Sequence, residues 1–187
     1  MATWGKGIAN GFSFCALTGI KEVMEIGGIN RPGAEKVFLI STTHGGETHA
    51  VAAGLETIKY FNEHDVVNKN KKTGRTIIEA TRAEISKEGL SDYITVSDSD
   101  WTPIFVFKNR EGATDMGIRT LFMQEMIQRG VLFQGAFTPS FSHNSEEIDF
   151  FIEAFSSSIG IYKGALEKGY ENYLIGPSVK PVFRKYL

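Results

Sequence analysis

The sequence has little of what secreted, membrane-spanning or nucleic-acid-binding proteins carry. Its single cysteine, Cys15, cannot form an internal disulfide, and its apolar neighbours predict a buried, inert thiol. No apolar run approaches the roughly 18 residues of a transmembrane helix, and no signal-peptide pattern opens the chain. Twenty basic and 22 acidic residues nearly cancel, without the basic excess that binds a phosphate backbone. We therefore expect a soluble, cytoplasmic protein that binds neither nucleic acid nor membranes.

Several catalytic motifs are also missing. The chain has no Walker A pattern, no H-E-x-x-H and no G-x-S-x-G. His44 and His49 are five positions apart, and His64 and His143 lie elsewhere, so no metal is expected. The serine run at residues 156–158 is interpreted as part of the solvated face of a helix.

What the chain does have is enough apolar material for a core, since 42% of its 187 residues are hydrophobic. At roughly 150 residues per domain, this length fits one large domain, or a modest domain with a smaller one. The pattern predicts an α/β beginning, a long connecting helix and a compact unit of strands and helices from about Asp92.

The first third of the chain predicts short elements and one long helix. Residues 21–26 favour a helical turn, and residues 37–40 favour a short buried strand. A helix is expected from about Gly46. Apolar residues recur along one of its faces: Val51, Leu55, Ile58 and Phe61.

The middle of the chain predicts a helix followed by a small sheet. Residues 66–87 are basic at first and then carry isoleucines at loose helical spacing. Residues 93–96 and 104–107 predict two strands, and residues 131–133 are expected to begin a further extended piece.

Two more helices are expected beyond these strands. The first is amphipathic and should end at Gly130 as a C′ residue. The second starts at Asn144, with Glu147 completing a capping box, and ends at Gly169. Its predicted buried stripe comprises Ile148, Phe151, Ile152, Phe155, Ile159, Tyr162 and Leu166.

Lys6 is the first candidate for chemistry. Glycines on both sides leave the backbone free to turn tightly and let the amine project into a closely packed cleft. A lysine desolvated in such a cleft loses its proton more readily and condenses with a carbonyl group. The alternative is a solvated surface lysine.

A second candidate lies between the predicted strand and the helix that follows it, at residues 41–49. The hydroxyls, free amides and helix dipole of such a junction can hold a phosphate group. The alternative is an ordinary helix N-cap provided by Thr42 or Thr43.

Several segments together carry a resemblance to a known family. Near the start they are Thr3-Trp4-Gly5-Lys6 with Asn10-Gly11-Phe12, Leu17-Thr18-Gly19, and Ser41-Thr42-Thr43-His44-Gly45-Gly46-Glu47-Thr48-His49. Further along they are Arg119-Thr120-Leu121-Phe122-Met123-Gln124-Glu125, Pro139-Ser140-Phe141-Ser142-His143, Glu146-Glu147-Ile148-Asp149 and Val179-Lys180-Pro181-Val182-Phe183-Arg184. Together they resemble the class III pyridoxal-phosphate (PLP) aminotransferases, especially the glutamate-1-semialdehyde 2,1-aminomutase group.

The resemblance implies a fold, a cofactor and two site residues. The fold is α/β, the C-terminal portion of PLP-dependent transferase fold type I. Residues 1–65 would be the end of the large domain, and residues 66–187 a small α+β C-terminal domain. Lys6 matches the lysine that forms the internal aldimine with PLP and shuttles the substrate proton. Thr43 matches the threonine that binds the PLP phosphate of the neighbouring subunit, with Thr42 a less certain companion.

The chain also departs from the family pattern. It starts only a few residues before the lysine, so most of the large domain is expected to be missing. The isolated chain is therefore expected to be inactive and to need a homodimer partner or a complementing N-terminal half. No arginine lies between Arg129 and Arg184, where many relatives grip an α-carboxylate, which favours the aminomutase-like branch.

The expected small-molecule partner is an amino donor or acceptor, either an amino acid or an amino aldehyde. Two other interpretations stay open. The chain could be a non-catalytic subunit or assembly module that keeps the family's dimer surface. It could also be an unrelated phosphate-binding α/β module.

Overall fold

A computed structural model describes residues 1–28, 35 and 46–180 of the chain. The chain divides into two compact units, Met1–Asp65 and Val66–Leu187, called unit 1 and unit 2 below. Among the described residues, no helix combines the length and the apolar character that a membrane crossing requires.

Unit 1 begins with a pair of short strands. β1 (Ala2–Trp4) and β2 (Ala16–Thr18) run antiparallel. A single 3-10 turn, Lys6–Ile8, follows β1. After β2, the predicted helical turn is confirmed as α1 (Lys21–Met24), which continues into a second 3-10 turn, Glu25–Gly27.

The long helix of unit 1, α2 (Thr48–Glu63), confirms the helix predicted from about Gly46. Its buried residues are Ala50 and Gly54, and the Phe14 ring packs so closely that a Cβ on Gly54 would lie 3.1 Å from it. Large side chains of the predicted apolar face are 47–65% exposed: Leu55, Ile58 and Phe61. The helix packs through its small residues because they allow close approach, and its apolar stripe stays exposed.

Unit 2 confirms the three helices and two strands predicted for it, but not the extended piece predicted to begin at residues 131–133. In chain order the described residues form α3 (Val66–Lys87), β3 (Ile94–Val96), β4 (Phe105–Phe107), α4 (Met116–Gln128) and α5 (Ser145–Lys168). The two strands form an antiparallel hairpin in which Ile94 lies opposite Phe107. Helix α5 packs against both α3 and α4, and the hairpin packs against α3 and α4.

The core of unit 2 is largely aromatic. Phe122 is fully buried at its centre, in contact with rings from β4, α5 and the segment after α4. Its ring centroid lies 4.7–6.1 Å from those of Phe107, Phe133, Phe155 and Tyr162. Three of these pairs are edge-on, a favourable arrangement that adds to the free energy gained by burying the rings.

Tyr162 also ties α5 to the hairpin. Its hydroxyl donates to the carbonyl oxygen of Lys108 at 2.6 Å and lies 3.2 Å from that of Tyr93. Burial raises the pKa of the Tyr162 phenol, so the group stays neutral and remains a donor.

The helix ends of unit 2 are capped by side chains and glycines. Asp115 accepts hydrogen bonds from the N–H groups two and three residues further on, at 2.7 and 3.0 Å. The predicted capping box is confirmed, since the Asn144 N–H donates to the Glu147 carboxylate at 2.8 Å. That bond holds the pKa of Glu147 below its usual range. Gly130 and Gly169 follow α4 and α5 with φ of 84° and 83°, as predicted.

Two expectations about individual side chains are wrong. Cys15 is exposed, because it precedes β2 in a two-stranded sheet whose residues are themselves mostly exposed. Ser158 is fully buried and donates to the carbonyl oxygen of Ala154 at 2.7 Å, because the buried side of α5 is wider than its large apolar residues suggest.

Two further segments, residues 131–133 and 37–40, are predicted to be extended. Residues 131–133 form no strand. The contact with β4 comes slightly later in the sequence, where the Phe105 N–H donates to the carbonyl oxygen of Gly135 at 2.9 Å. The strand predicted at residues 37–40 lies outside the described residues.

Candidate functional site

The lysine loop, residues 5–15, joins β1 to β2. Within the described part of the chain, Lys6 at φ 53° and Asn10 at φ 45° are the only non-glycine residues with positive φ. Asparagine adopts this left-handed region readily, whereas a lysine there costs about 1–2 kcal/mol. Backbone strain of this kind is typical of functional sites.

Backbone hydrogen bonds fold the lysine loop into successive turns. They run from Ile8 to Gly5, from Asn10 to Gly7 and from Phe12 to Ala9, with N···O distances of 3.2–3.4 Å. Ala9 is only 1% exposed and anchors the middle of the loop. Lys6 therefore lies inside the first of these turns, and the next two follow it in the chain.

Two aromatic contacts attach the lysine loop to α2. The Phe12 ring meets the His49 ring edge-on, with centroids 5.5 Å apart, and Phe14 packs on Gly54. The loop consequently lies beside the N-terminal half of α2, the helix that follows residues 41–45 in sequence.

Lys6 does not lie in the closely packed cleft that the sequence predicts. The residue is exposed, and a Cβ built on Gly5 or Gly7 would have no described atom within 4 Å. The described residues thus leave room around the lysine for a bulky carbonyl compound. A primary amine, a constrained backbone and open space fit an aldehyde cofactor such as PLP.

A cavity of about 530 Å³ lies close to the lysine loop within unit 1. Its walls are mostly apolar and include Trp4, Ile8, Ile58 and Phe61. The Trp4 indole N–H donates to the Thr18 hydroxyl across the two strands at 2.8 Å. The Lys6 side chain does not line this cavity. The cavity is therefore an apolar depression beside the lysine loop, and Gly5 and Gly7, on either side of Lys6, help to line it.

The structure describes only part of the predicted phosphate-binding junction at residues 41–49. Thr42, Thr43 and His44 lie outside the described residues. Helix α2 begins at Thr48 with Glu47 at the N-cap position and no side-chain capping bond. An N-cap provided by Thr42 or Thr43 is therefore wrong, because the helix starts too late in the sequence.

Residues 139–143, which carry part of the family resemblance, form a loop in unit 2 that is fixed by polar contacts. The backbone N–H of Ser140 donates to Nδ1 of His143 at 3.1 Å. Lys69 donates to the carbonyl oxygen of Phe141 at 2.6 Å and to Asn144 Oδ1 at 3.0 Å. Sequence reasoning missed Lys69, because nothing distinguishes it from the other lysines of α3.

The main charge cluster of unit 2 is structural. Arg75 contacts Asp98 at 2.9 Å and Asp100 at 2.6 Å, and Arg82 contacts Asp98 at 3.2 Å. The hydrogen bond from Arg75 holds the pKa of the Asp98 carboxyl below its usual range. The cluster fastens α3 to the turn between β3 and β4. Among the described residues, no group of three or more His, Cys, Asp and Glu side chains could hold a metal ion.

Two curated relatives are aminotransferases. The chain is 24% identical over 168 residues to 3-aminobutyryl-CoA aminotransferase of Cloacimonas acidaminovorans (strain Evry), covering 89% of this chain and 38% of the relative. It is 24% identical over 160 residues to 2'-deamino-2'-hydroxyneamine transaminase of Streptomyces kanamyceticus, covering 84% of this chain and 37% of the relative. No family model matches the chain.

Solved structures establish the fold. The PLP internal aldimine form of the Sphingopyxis sp. MTA144 FumI protein superposes with a TM-score of 0.72 at 17% identity, over 90% of this chain and 37% of that one. A transaminase with PLP bound gives the same TM-score and identity over 89% of this chain and 38% of that one. The chain has part of the PLP-dependent transferase fold.

This portion of fold type I has the mixed α/β content expected of the C-terminal part. The chain spans 37–38% of the length of the relatives it matches. The fold type I assignment thus agrees with the prediction from the sequence.

Proposed function

We propose that this chain contributes the lysine-bearing portion of a class III PLP-dependent enzyme that moves an amino group of an amino acid or amino aldehyde. The observation that supports this most strongly is the left-handed backbone of Lys6, at φ 53° between two glycines, in a loop with open space around it. A lysine in this backbone region costs about 1–2 kcal/mol relative to glycine, and strain of this kind clusters at functional sites. Transaminase relatives and PLP-bound neighbours of the same fold support the proposal.

Lys6 would hold the cofactor through Nζ, and Thr43 would bind its phosphate group from the neighbouring subunit of a homodimer. PLP, when bound, supplies an electron sink that acidifies the substrate α-carbon. With substrate bound, the Lys6 Nζ would be a primary amine able to accept a proton and return it. The turn that contains Lys6 fixes the backbone from which this amine would reach the substrate.

Further protein surface is needed to complete such a site. The relatives are more than twice as long as this chain, and large apolar side chains of unit 1 stand exposed: Trp4, Phe12, Leu55 and Phe61. We infer that a complementing N-terminal portion covers this surface and that the isolated chain is inactive.

The same exposed surface favours a second candidate function, a non-catalytic subunit or assembly module. In that case unit 1 would bind a partner protein, and Lys6 would have no special reactivity.

A labelling experiment distinguishes the two candidates. The purified chain is incubated with PLP, reduced with borohydride and mapped by peptide mass spectrometry. We expect preferential labelling of Lys6, loss of that label in Lys6→Arg, and full Lys6 labelling in Lys21→Arg, which alters another exposed lysine of unit 1. Labelling spread evenly over the surface lysines would mean that the isolated chain lacks a formed site, and the mapping is then repeated on the complemented enzyme. Even labelling there as well would contradict the catalytic proposal and favour the assembly module.

An assay that distinguishes a 2,1-amino shift from amino-group transfer requires the chain complemented by its N-terminal portion. A 2,1-amino shift yields product from one amino aldehyde without an added amino acceptor, whereas amino-group transfer requires a second substrate. The lack of arginine between Arg129 and Arg184 favours the shift. In either case Lys6→Arg should abolish turnover, and Thr43→Val should weaken PLP binding. Full turnover by Lys6→Arg would contradict the role of Lys6.

A further inference from the structure

The segment that follows α5 is held along α4 by side chains instead of by another strand. We call residues 173–180 the strap. Gln124 uses both ends of its amide: Nε2 donates to the carbonyl oxygen of Tyr173 at 3.0 Å, and Oε1 accepts from Ile175 N–H at 2.8 Å. This one side chain therefore satisfies two backbone groups of the strap, at a turn and a bend of the chain.

Thr120, one turn earlier on α4, makes a second attachment. Its hydroxyl accepts from Val179 N–H at 3.0 Å and donates to the carbonyl oxygen of Met116 at 2.6 Å. Because a hydroxyl has a single proton, the bond to Met116 leaves its lone pairs facing the strap.

Gly117 completes this stripe of α4, since positions 117, 120 and 124 lie on one helix face. A Cβ on Gly117 would overlap the ring of Tyr170, which lies just before the strap. Because Gly117 has no side chain, the Tyr170 ring can pack directly against α4, and the strap begins three residues after Tyr170.

The orientation of Gln124 is itself fixed by a buried ion pair. Its Nε2 lies 3.2 Å from Glu125 Oε1, and Glu125, only 8% exposed, pairs with Arg129 at 2.8 Å. A carboxylate only accepts hydrogen bonds, so the amide must turn its NH₂ group toward Glu125 and Tyr173. This leaves Oε1 for the Ile175 N–H.

We propose that the strap is a latch that opens locally while the core of unit 2 stays folded, with Gln124 and Thr120 as the positioning residues of the closed state. Apolar burial opposes opening least beyond Leu174, because Ile175 is 81% and Val179 39% exposed, whereas Tyr173 and Leu174 are half-buried. Segments held mainly by exposed hydrogen bonds open at low free-energy cost.

Amide hydrogen exchange of the full chain, followed by NMR, tests the latch. We expect the Ile175 and Val179 amides to exchange more slowly than those of Gly176 and Ser178, for which the described residues supply no hydrogen bond. Gln124→Leu should speed exchange at Ile175 about five- to tenfold, and Thr120→Val should do the same at Val179. Core amides of α5 should not change.

The matched control is Gln128→Leu, at an exposed position one turn after Gln124 on α4, which should leave the strap amides unchanged. Two results would overturn the latch. One is exchange of Ile175 as fast as Gly176 in the unaltered chain. The other is equal acceleration of strap and core amides in Gln124→Leu, which would make the strap an integral part of the core.

Discussion

In unit 2, Phe107 and Phe122 are at most 1% exposed, whereas in unit 1 Trp4, Phe12 and Phe61 are 48–52% exposed. Residues of the same chemical kind therefore form a packed core in one region and a surface in the other. The candidate lysine lies in the region with the less complete core. A strained backbone persists only where its surroundings hold it in place. We therefore expect unit 2 to be stable by itself and unit 1 to be stabilised further by the protein surface that covers it.

The largest expected effect is at the centre of the aromatic core. Phe122→Ala should destabilise unit 2 by about 3–5 kcal/mol, because it removes a fully buried ring and leaves a cavity. Phe61→Ala, at a 48% exposed position of unit 1, should cost less than about 1 kcal/mol. Urea unfolding followed by circular dichroism measures both values. Similar losses for the two variants would remove the contrast between the units.

Helical glycines provide a graded second comparison. Gly74→Ala should destabilise α3 packing by about 1–3 kcal/mol, because the new Cβ would overlap the backbone carbonyl oxygen of Asp100. Gly54→Ala in unit 1 should cost less, since its Cβ would meet only the movable ring of Phe14.

Gly160→Ala is the matched control for these two variants. Its Cβ would have nothing within 4 Å, and alanine stabilises a helix by about 0.5–1 kcal/mol relative to glycine. Thermal unfolding should therefore rank the variants from Gly160→Ala, above the unaltered chain, down to Gly74→Ala. A neutral Gly74→Ala would contradict the close contact of α3 with the β3–β4 turn.

A smaller effect is expected where α5 meets α3. The Ser156 hydroxyl donates to the Glu84 carboxylate at 2.8 Å, and this bond, followed by Lys87, lowers the pKa of Glu84 below its ordinary value of 4.5. A depressed carboxyl pKa adds stability above that ordinary value, and the stability is lost as the pH falls through the folded-state pKa.

Ser156→Ala should therefore raise the pKa of Glu84 and reduce the acid dependence of unit 2 stability. Ser157→Ala, at the neighbouring exposed position, should change neither. Carbon-detected NMR titration of Glu84 measures the shift. An unchanged titration in Ser156→Ala would show that the hydroxyl bond does not set this pKa.

The smallest structural effect is expected at Cys15 of unit 1. Because its thiol is exposed, it should react fully with a disulfide reagent in the native chain without denaturant. Cys15→Ser should change the unfolding free energy by less than about 0.5 kcal/mol. A thiol that reacts only after unfolding would mean that unit 1 buries more of its surface than the contrast with unit 2 implies.

Sequence reasoning was most successful in unit 2, where local signals and tertiary burial agree. The capping box at Asn144 and Glu147 and the C′ glycine Gly130 are short-range features, so neighbouring residues suffice to predict them. It was less successful in α2. The apolar periodicity of Leu55 and Ile58 predicts a helix with an apolar face, but it does not show what that face packs against, and both residues are exposed.

For the candidate site, too, some features could be predicted from the sequence and others could not. The glycines around Lys6 and the order of the motifs pointed to the lysine, and the fold type I assignment followed from that resemblance. The left-handed backbone of Lys6, the Phe12–His49 contact and the exposure of the amine became visible only in three dimensions. The Phe12–His49 contact joins residues that are far apart in sequence, whereas the backbone of Lys6 lies in a short-range turn.

The sequence by itself determined the helices and strands of unit 2, the lysine as a candidate and the aminotransferase resemblance, because these rest on local propensity and motif order. Only the tertiary structure decided that α2 packs through Ala50 and Gly54, that Ser158 is buried, and that Gln124 holds the strap. These features depend on which surfaces meet, and the free energy of such contacts comes from residues that no local pattern brings together.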